Sequence, residues 1–359
     1  MMIQSESKIQ PPKSKILLPL AGLFGMGLTL REAAYRQGWL KTERLDRPVV
    51  SVGNLSVGGT GKTPLVMFIA KLLSRQGYNP AVLTRGYGRR RGARMAVLAP
   101  SADRSPDPRE VGDEPALLAR ALPQVPIIVC ADRYRGGRQA EERFNVDVHL
   151  LDDGFQHRAL ARDVDVVAVD ATQELSEQAL LPAGRLREPP AALGRAHLVV
   201  VTRVELRDPR PLERQVRRIS PRAEIFHAAT RLCELVDVHT GRTYPPDAFQ
   251  GEPLEAFCGI GNPGAFFADL QEWGFSVIGE HSFRDHYVYA GAGLEALKML
   301  ARQSHAAALV TTEKDAMNLQ PALVGAKAPI LACVIRTDVI DHRGFEEALL
   351  ARLGLTRVM

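Results

Sequence analysis

The stretch from Val49 to Ala70, V-V-S-V-G-N-L-S-V-G-G-T-G-K-T-P-L-V-M-F-I-A, constrains the fold more than any other part of the chain. Val49 to Val52 is a short β-branched apolar run, the pattern of a buried strand. Gly53, Gly58, Gly59 and Gly61 follow, then Lys62, Thr63 and a helical pattern with Leu65, Val66, Phe68, Ile69, Leu72 and Leu73 apolar. Pro64 suits a first helical turn and Gly77 suits the stop. Strand, glycine loop, Lys-Thr and helix in this order read as a phosphate-binding loop. Backbone N–H groups and the helix N-terminus face the phosphates, the lysine neutralises β/γ charge, and the hydroxyl reaches Mg²⁺. The expected nucleotide contacts are Ser56, Val57, Gly58, Gly59, Thr60, Gly61, Lys62 and Thr63. One position departs from G-x-x-x-x-G-K-[ST]: Ser56 stands where the first glycine belongs. A serine forced left-handed there costs about 1–2 kcal/mol, so the turn is expected to rely on Gly58 and Gly59. The bland alternative is a glycine-rich hairpin that binds nothing; the flanking strand and helix argue against it.

The rest of the chain continues the alternation. Strands are expected at Pro80–Thr84, Ala93–Ala99, Pro126–Cys130, Val146–Leu151, Asp165–Asp170 and Ala196–Thr202, with helices between many of them. Strands alternating with helices argue for a doubly wound parallel sheet, an α/β fold. At 359 residues there is room for two domains. The pattern changes between Ala223 and Pro253 to short strands and turn residues, and a second, smaller α/β unit follows. The expected division is a membrane-associated segment at 1–40, a phosphate-loop domain at 41–222, a two-stranded antiparallel linker at 223–253 and a second α/β domain at 254–359.

The segment Ile16 to Leu30 carries no charge over 15 residues. As a helix it reaches about 22 Å at ~1.5 Å per residue, short of a ~30 Å hydrocarbon core. Arg31-Glu32 follows in place of a small-residue cleavage site, which argues against a signal peptide. The expectation is a helix lying in one leaflet, flanked by basic residues; the alternative is a helix packed on the protein's own core. Net charge is +5, a mild excess that suits an anionic surface or a phosphorylated substrate. Five arginines between Thr84 and Arg94 have a single aromatic residue, Tyr87, among them; interleaving this sparse argues against nucleic acid as the partner. The four cysteines show no C-x-x-C spacing and read as buried thiols.

Several polar residues could carry chemistry. Asp152 and Asp153 end an apolar strand, where a Mg²⁺ ligand is needed beside a phosphate loop; a turn aspartate is the alternative. Asp113 and Glu114 open a helix, so they are either a base near an acceptor hydroxyl or simple caps. Glu188 sits in a basic loop and by itself reads as a surface salt bridge. His286 lies far along the chain in a polar, aromatic loop.

The motifs S-V-G-N-L-S-V-G-G-T-G-K-T-P, L-T-R-G-Y-G-R-R, V-G-D-E-P, L-L-D-D-G-F-Q-H, L-P-A-G-R-L-R-E-P, F-C-G-I-G-N-P, F-x-D-H-x-x-Y and T-T-E-K-D-A, in this order, resemble the tetraacyldisaccharide 4′-kinase family of lipid A biosynthesis. The resemblance runs from about residue 16 to about residue 340, and the family shares the departure at Ser56. It implies transfer of the ATP γ-phosphate to the 4′-hydroxyl of a tetraacyldisaccharide 1-phosphate, giving lipid IVA, at the cytoplasmic face of the bacterial inner membrane. By resemblance, Lys62 and Thr63 hold phosphates and Mg²⁺, and Asp152 or Asp153, with Glu188, serves the metal. Asp113 acts as base assisted by His286, and Asn54, Arg85 and Arg89 face the substrate. A glycolipid and a membrane surface are the implied partners, with the protein expected to be a monomer. A nucleotide switch of the cell-division type is a rival, but Val57 stands where its signature lysine belongs. A helicase or ligase lacks further motifs.

Overall fold

The computed structural model describes residues 17–86, 95–101, 106–175, 178–289, 292–319 and 329–356. In chain order the first elements are α1 (Leu18–Arg36), β1 (Val49–Gly53), α2 (Lys62–Arg75), β2 (Pro80–Thr84), β3 (Met95–Leu98), α3 (Pro108–Val111), α4 (Asp113–Ala121), β4 (Ile127–Cys130) and α5 (Arg133–Arg143). Then come β5 (Val148–Asp152), β6 (Val164–Asp170), β7 (Leu198–Thr202), α6 (Arg210–Ile219), β8 (Glu224–Asp237), β9 (Thr243–Tyr244), β10 (Pro253–Cys258) and α7 (Pro263–Glu272). The chain ends with β11 (Ser276–Ser282), α8 (Ala292–Gln303), β12 (Ala308–Thr312), α9 (Glu313–Asn318), β13 (Ile330–Val339) and α10 (His342–Leu353).

The strands form one sheet ordered β11-β10-β12-β13-β8-β7-β6-β1-β5-β2-β4-β3, with β9 beside β8. β1 runs between β5 and β6, parallel to both, with Val52 opposite Asp152 and Val166. All five residues of β1 are buried, as suits a central strand covered on both faces. The register puts the end of β5 level with the start of the glycine loop, on the carboxyl edge where open α/β sheets bind ligands. The helix α2 buries Leu65, Val66, Ile69, Leu72 and Leu73 in the main core with Val50 and Val52. Each such side chain contributes about 1.5–3 kcal/mol. Gln76 caps the helix and Gly77 follows at φ +80°, a left-handed stop.

The sheet joins the expected linker and second unit differently from the sequence expectation. The first part of β8 pairs parallel with β7, Leu198 to Thr202 opposite Glu224 to Ala228. The remainder pairs antiparallel with β13, Ala228 opposite Val339 through Asp237 opposite Leu331. Within 223–253, β8 and the two-residue β9 pair antiparallel, and β8 is long enough to be shared by the sheets of both units. The expected end of the second unit is also corrected. Phe345, Leu349 and Leu350 of α10 pack in the core built around α2, because β13 runs back along β8 and delivers the chain there.

The apolar segment forms α1 but buries only Ala21, while Leu18, Leu20, Leu23, Met26 and Leu30 are exposed. The helix is tethered through its C-terminal half: Arg31 reaches Glu188 at 3.3 Å, and Glu32 accepts from Arg158 at 2.9 Å. Packing on the protein's own core, the alternative reading, is not what this helix does. Among the described residues no helix is long and apolar enough to cross a membrane.

Candidate active site

The loop between β1 and α2 owes its shape to two glycines. Gly58 sits at φ +114° and Gly61 at φ +79°, values costly for a side-chain-bearing residue. Gly59 is not left-handed, so the expected pair Gly58/Gly59 is corrected to Gly58/Gly61. Ser56 is not left-handed either; it forms an antiparallel bridge with Leu186, and no strain falls on it. Helix α2 starts at Lys62 with no side-chain cap. Its first N–H groups and the positive end of its dipole are left for an anion.

Around Lys62 the side chains converge. Its Nζ donates to Asn54 Oδ1 at 3.1 Å and lies 3.6 Å from Asp153 Oδ1. Asn54 Nδ2 donates to Thr60 Oγ1 at 2.8 Å, fixing the loop internally. Arg187 grips Asp153 through two nitrogens, each at 2.7 Å, and also donates to Asn54 Oδ1. The adjacent aspartates titrate in opposite directions. Burial raises both, but beside Asp153 the Lys62 ammonium and Arg187 hold its carboxyl far below the usual range. Asp152 accepts a hydrogen bond from Thr84 at 3.0 Å, yet burial, then Glu114 and Asp153, push it up to about 7. A buried carboxylate in that state fits a cation as its missing partner.

A second centre forms where α4 meets the loop after β11 and the start of α9. His286 Nδ1 donates to Asp113 Oδ2 at 2.8 Å, and the Glu114 N–H donates to Asp113 Oδ1 at 2.9 Å. Lys314 Nζ lies 3.9 Å from Asp113, 3.5 Å from Glu114, 3.1 Å from Asp285 and 3.4 Å from His286 Nε2. Burial opposes ionisation of Asp113, but the His286 hydrogen bond and the Lys314 charge hold its pKa below the usual range. The hydrogen bond to Asp113 raises His286 in turn, against its partial burial. Burial likewise opposes charge on Lys314, and Glu114, Asp113 and Asp285 restore it. Glu114 links the two centres, since it faces Lys314 and also acts on Asp152.

Among the described residues, three other than glycine have left-handed φ: Asp153 (+51°), Arg203 (+58°) and His286 (+58°). Such conformations cost about 1–3 kcal/mol each and gather at functional sites. Two of the three belong to the centres above.

The other expected residues are placed as follows. Thr63 is the second residue of α2 and half-buried. Glu188 is buried, and its oxygens accept from Arg31 at 3.3 Å, Gln156 at 3.2 Å and Arg195 at 2.7 Å; its side chain is linked to the Lys62 group through Gln156, which also donates to Asn54 O. Arg85 is exposed just beyond β2, near enough to Arg133 and His157 to disfavour their protonation. Arg89 lies outside the described residues. Among the described residues no three His, Cys, Asp or Glu side chains gather as a metal cage; Mg²⁺ needs only one or two carboxylates beside phosphate oxygens, and Thr63 with Asp152 fits that set. A cleft of about 410 Å³, lined by Thr172, Gln173, Glu174, Arg185, Asn262 and Ala268, adjoins the loop through Arg185, which donates to Val57 O.

Sequence reasoning missed Lys314, Arg187, Asn318 and Arg203. Lys314 lies in T-T-E-K-D-A and Arg187 in G-R-L-R-E-P, both conspicuous stretches, but nothing in either showed what the side chain would face. Asn318 Nδ2 sits 3.4 Å from Asp113 Oδ2, one helical turn beyond Lys314.

Comparison with known proteins shows the family to which the chain belongs. Residues 13–354 match the family model described as Tetraacyldisaccharide-1-P 4'-kinase. A tetraacyldisaccharide 4'-kinase of Koribacter versatilis is 42% identical over 329 residues, covering 90% of this chain and 94% of that protein. One from Geobacter metallireducens is 37% identical over 341 residues, covering 93% and 96%. The crystal structure of an "apo" form LpxK from Aquifex aeolicus in complex with ATP superposes with a TM-score of 0.74 at 31% identity, covering 94% of this chain and 98% of that one. By sequence and by fold, this chain belongs to the tetraacyldisaccharide-1-phosphate 4'-kinase family.

Proposed function

We propose that the protein transfers the γ-phosphoryl group of ATP to the 4′-hydroxyl of a tetraacyldisaccharide 1-phosphate, giving lipid IVA. One observation carries this reading: an uncapped helix start with its lysine, and a buried Asp113 paired with His286 of the other unit, joined through Asp152, Glu114 and Lys314. The loop N–H groups and Lys62 bind the β- and γ-phosphates. Thr63 and Asp152 would hold Mg²⁺, which when bound neutralises charge on the phosphates. The cleft beside Arg185 has room for the nucleoside end. Asp113 takes the proton of the acceptor hydroxyl as its oxygen bonds to phosphorus and the β–γ bridge breaks, releasing ADP. His286 orients Asp113 and keeps it ionised. Arg85 faces the anionic headgroup, and Asn54 keeps Lys62 aimed.

The exposed apolar face of α1 suits a membrane interface on the cytoplasmic side. A substrate with four acyl chains resists extraction by about 0.8 kcal/mol per buried CH₂, so an enzyme resting on the leaflet brings its cleft to the headgroup. The test is phosphoryl transfer to tetraacyldisaccharide 1-phosphate in detergent micelles. Lys62→Ala is expected to lower kcat/KM on the order of a thousandfold with an unchanged Tm. ATP turnover that ignores the lipid acceptor would refute the reading.

A further inference from the structure

A loop that turns its N–H groups toward phosphates turns carbonyls away, and those need donors of their own. Here they have them. Val57 O accepts from Arg185 Nε at 3.2 Å and Nη2 at 3.0 Å. Gly59 O accepts from Arg203 Nη1 at 3.0 Å, and Thr60 O from Thr202 Oγ1 at 3.2 Å. Both arginines also reach the second unit. Arg185 Nη2 donates to Gly261 O at 2.6 Å, in the turn before α7. Arg203 Nε lies 3.6 Å from Asp269 Oδ2 on α7 itself.

The two links differ in completeness. The Arg185 bond is made. In the Arg203 pair both side chains are more than nine-tenths buried, yet Arg203 Nε and Asp269 Oδ1 make no hydrogen bond among the described residues. Leaving such groups unmade is costly, and an approach of roughly 0.6 Å would bring Arg203 Nε within bonding distance of Asp269 Oδ2. On its other side Arg203 is locked: Nη1 donates to Asp170 Oδ2 at 2.7 Å, and the backbone is strained at φ +58°. The guanidinium is thus fixed to β6 and to the loop, with its remaining edge toward the helix of the other unit.

We propose that Arg203 is a positioning residue for ATP: it holds Gly59 of the phosphate loop and takes Asp269 of α7 as its second partner, so the loop reaches its phosphate-binding shape when the second unit is seated. The inference rests on the proposed role of that loop. Arg203 touches no reacting atom; it acts through the Gly59 carbonyl.

The test is a cycle of Asp269→Asn, Arg203→Lys and the combined variant, each assayed for transfer well below its own Tm with ATP and acceptor varied separately. Asp269→Asn keeps the volume and removes the charge; Arg203→Lys keeps the charge and loses the fork. Each is expected to raise the KM for ATP about tenfold, the scale of one charge-assisted hydrogen bond, and to leave the acceptor KM within about twofold. The combined variant should be no worse than the poorer single one, since coupled partners are not additive. Independent effects that multiply, an equal rise in both KM values, or an Asp269→Asn enzyme with unchanged ATP KM would each overturn the proposal. A wild-type protein that transfers nothing would overturn the proposed activity as well, whereas an active wild type with an indifferent Asp269→Asn removes this inference alone.

Discussion

Lys62, Asn54 and Thr60 lie within eight residues of one another, and Asp153 joins them because β5 is the neighbour of β1. Asp113 and His286, by contrast, are separated by 173 residues and meet only where the two units touch. The first centre is built by local turns on a rigid sheet edge, the second by docking. The difference teaches where each depends on the rest of the molecule. Mutations in the first should alter nucleotide binding, while the second should respond to chemistry and to seating of the second unit.

Asp113→Asn gives the largest expected separation of the two. A neutral amide cannot take the acceptor's proton, so kcat should fall by about 10²–10⁴ while ATP affinity, measured by titration, stays as in the wild type. An equal loss of ATP affinity would show that the centres are not separable. Lys314→Met should act more moderately and shows its sign through pH. Lys314 and His286 lower the Asp113 pKa and burial raises it; without the ammonium, Asp113 binds its proton more readily. The acidic limb of the kcat profile should therefore move to higher pH, with kcat lower by about tenfold at neutrality. A limb that stays in place would remove Lys314 from the centre. Ser56→Gly is the smallest. Restoring the usual glycine relieves nothing, because Ser56 sits in bridge geometry opposite Leu186. Transfer should stay within about twofold, with a stability loss of about 0.5–1 kcal/mol from added backbone freedom. A clear gain in activity would mean that Ser56 is strained after all.

The sequence showed the first centre more openly than the second for the same reason. A strand, a turn and a helix start are consecutive, so their chemistry appears as a spacing. The residues alone left Asp113 balanced between base and helix cap; its pairing with His286 came only from the family resemblance. Lys314 stood inside a quoted motif and still went unassigned, because its four partners arrive from α4 and from the loop after β11. Glu188 read as a surface ion pair, yet it is buried under Arg31 of α1, 157 residues away.

By itself the sequence determined the parallel α/β alternation, the phosphate loop at Gly58–Thr63 and a helix at the start whose first turns carry no charge, all set by short-range periodicity and turn chemistry. Only the tertiary structure decided that β8 is shared by both units, that α10 returns to the first core, and that Asp152 and Asp153 hold their protons so differently. Those outcomes depend on which distant groups share a buried, poorly screened space. Burial and charge act through that space regardless of the order of residues along the chain.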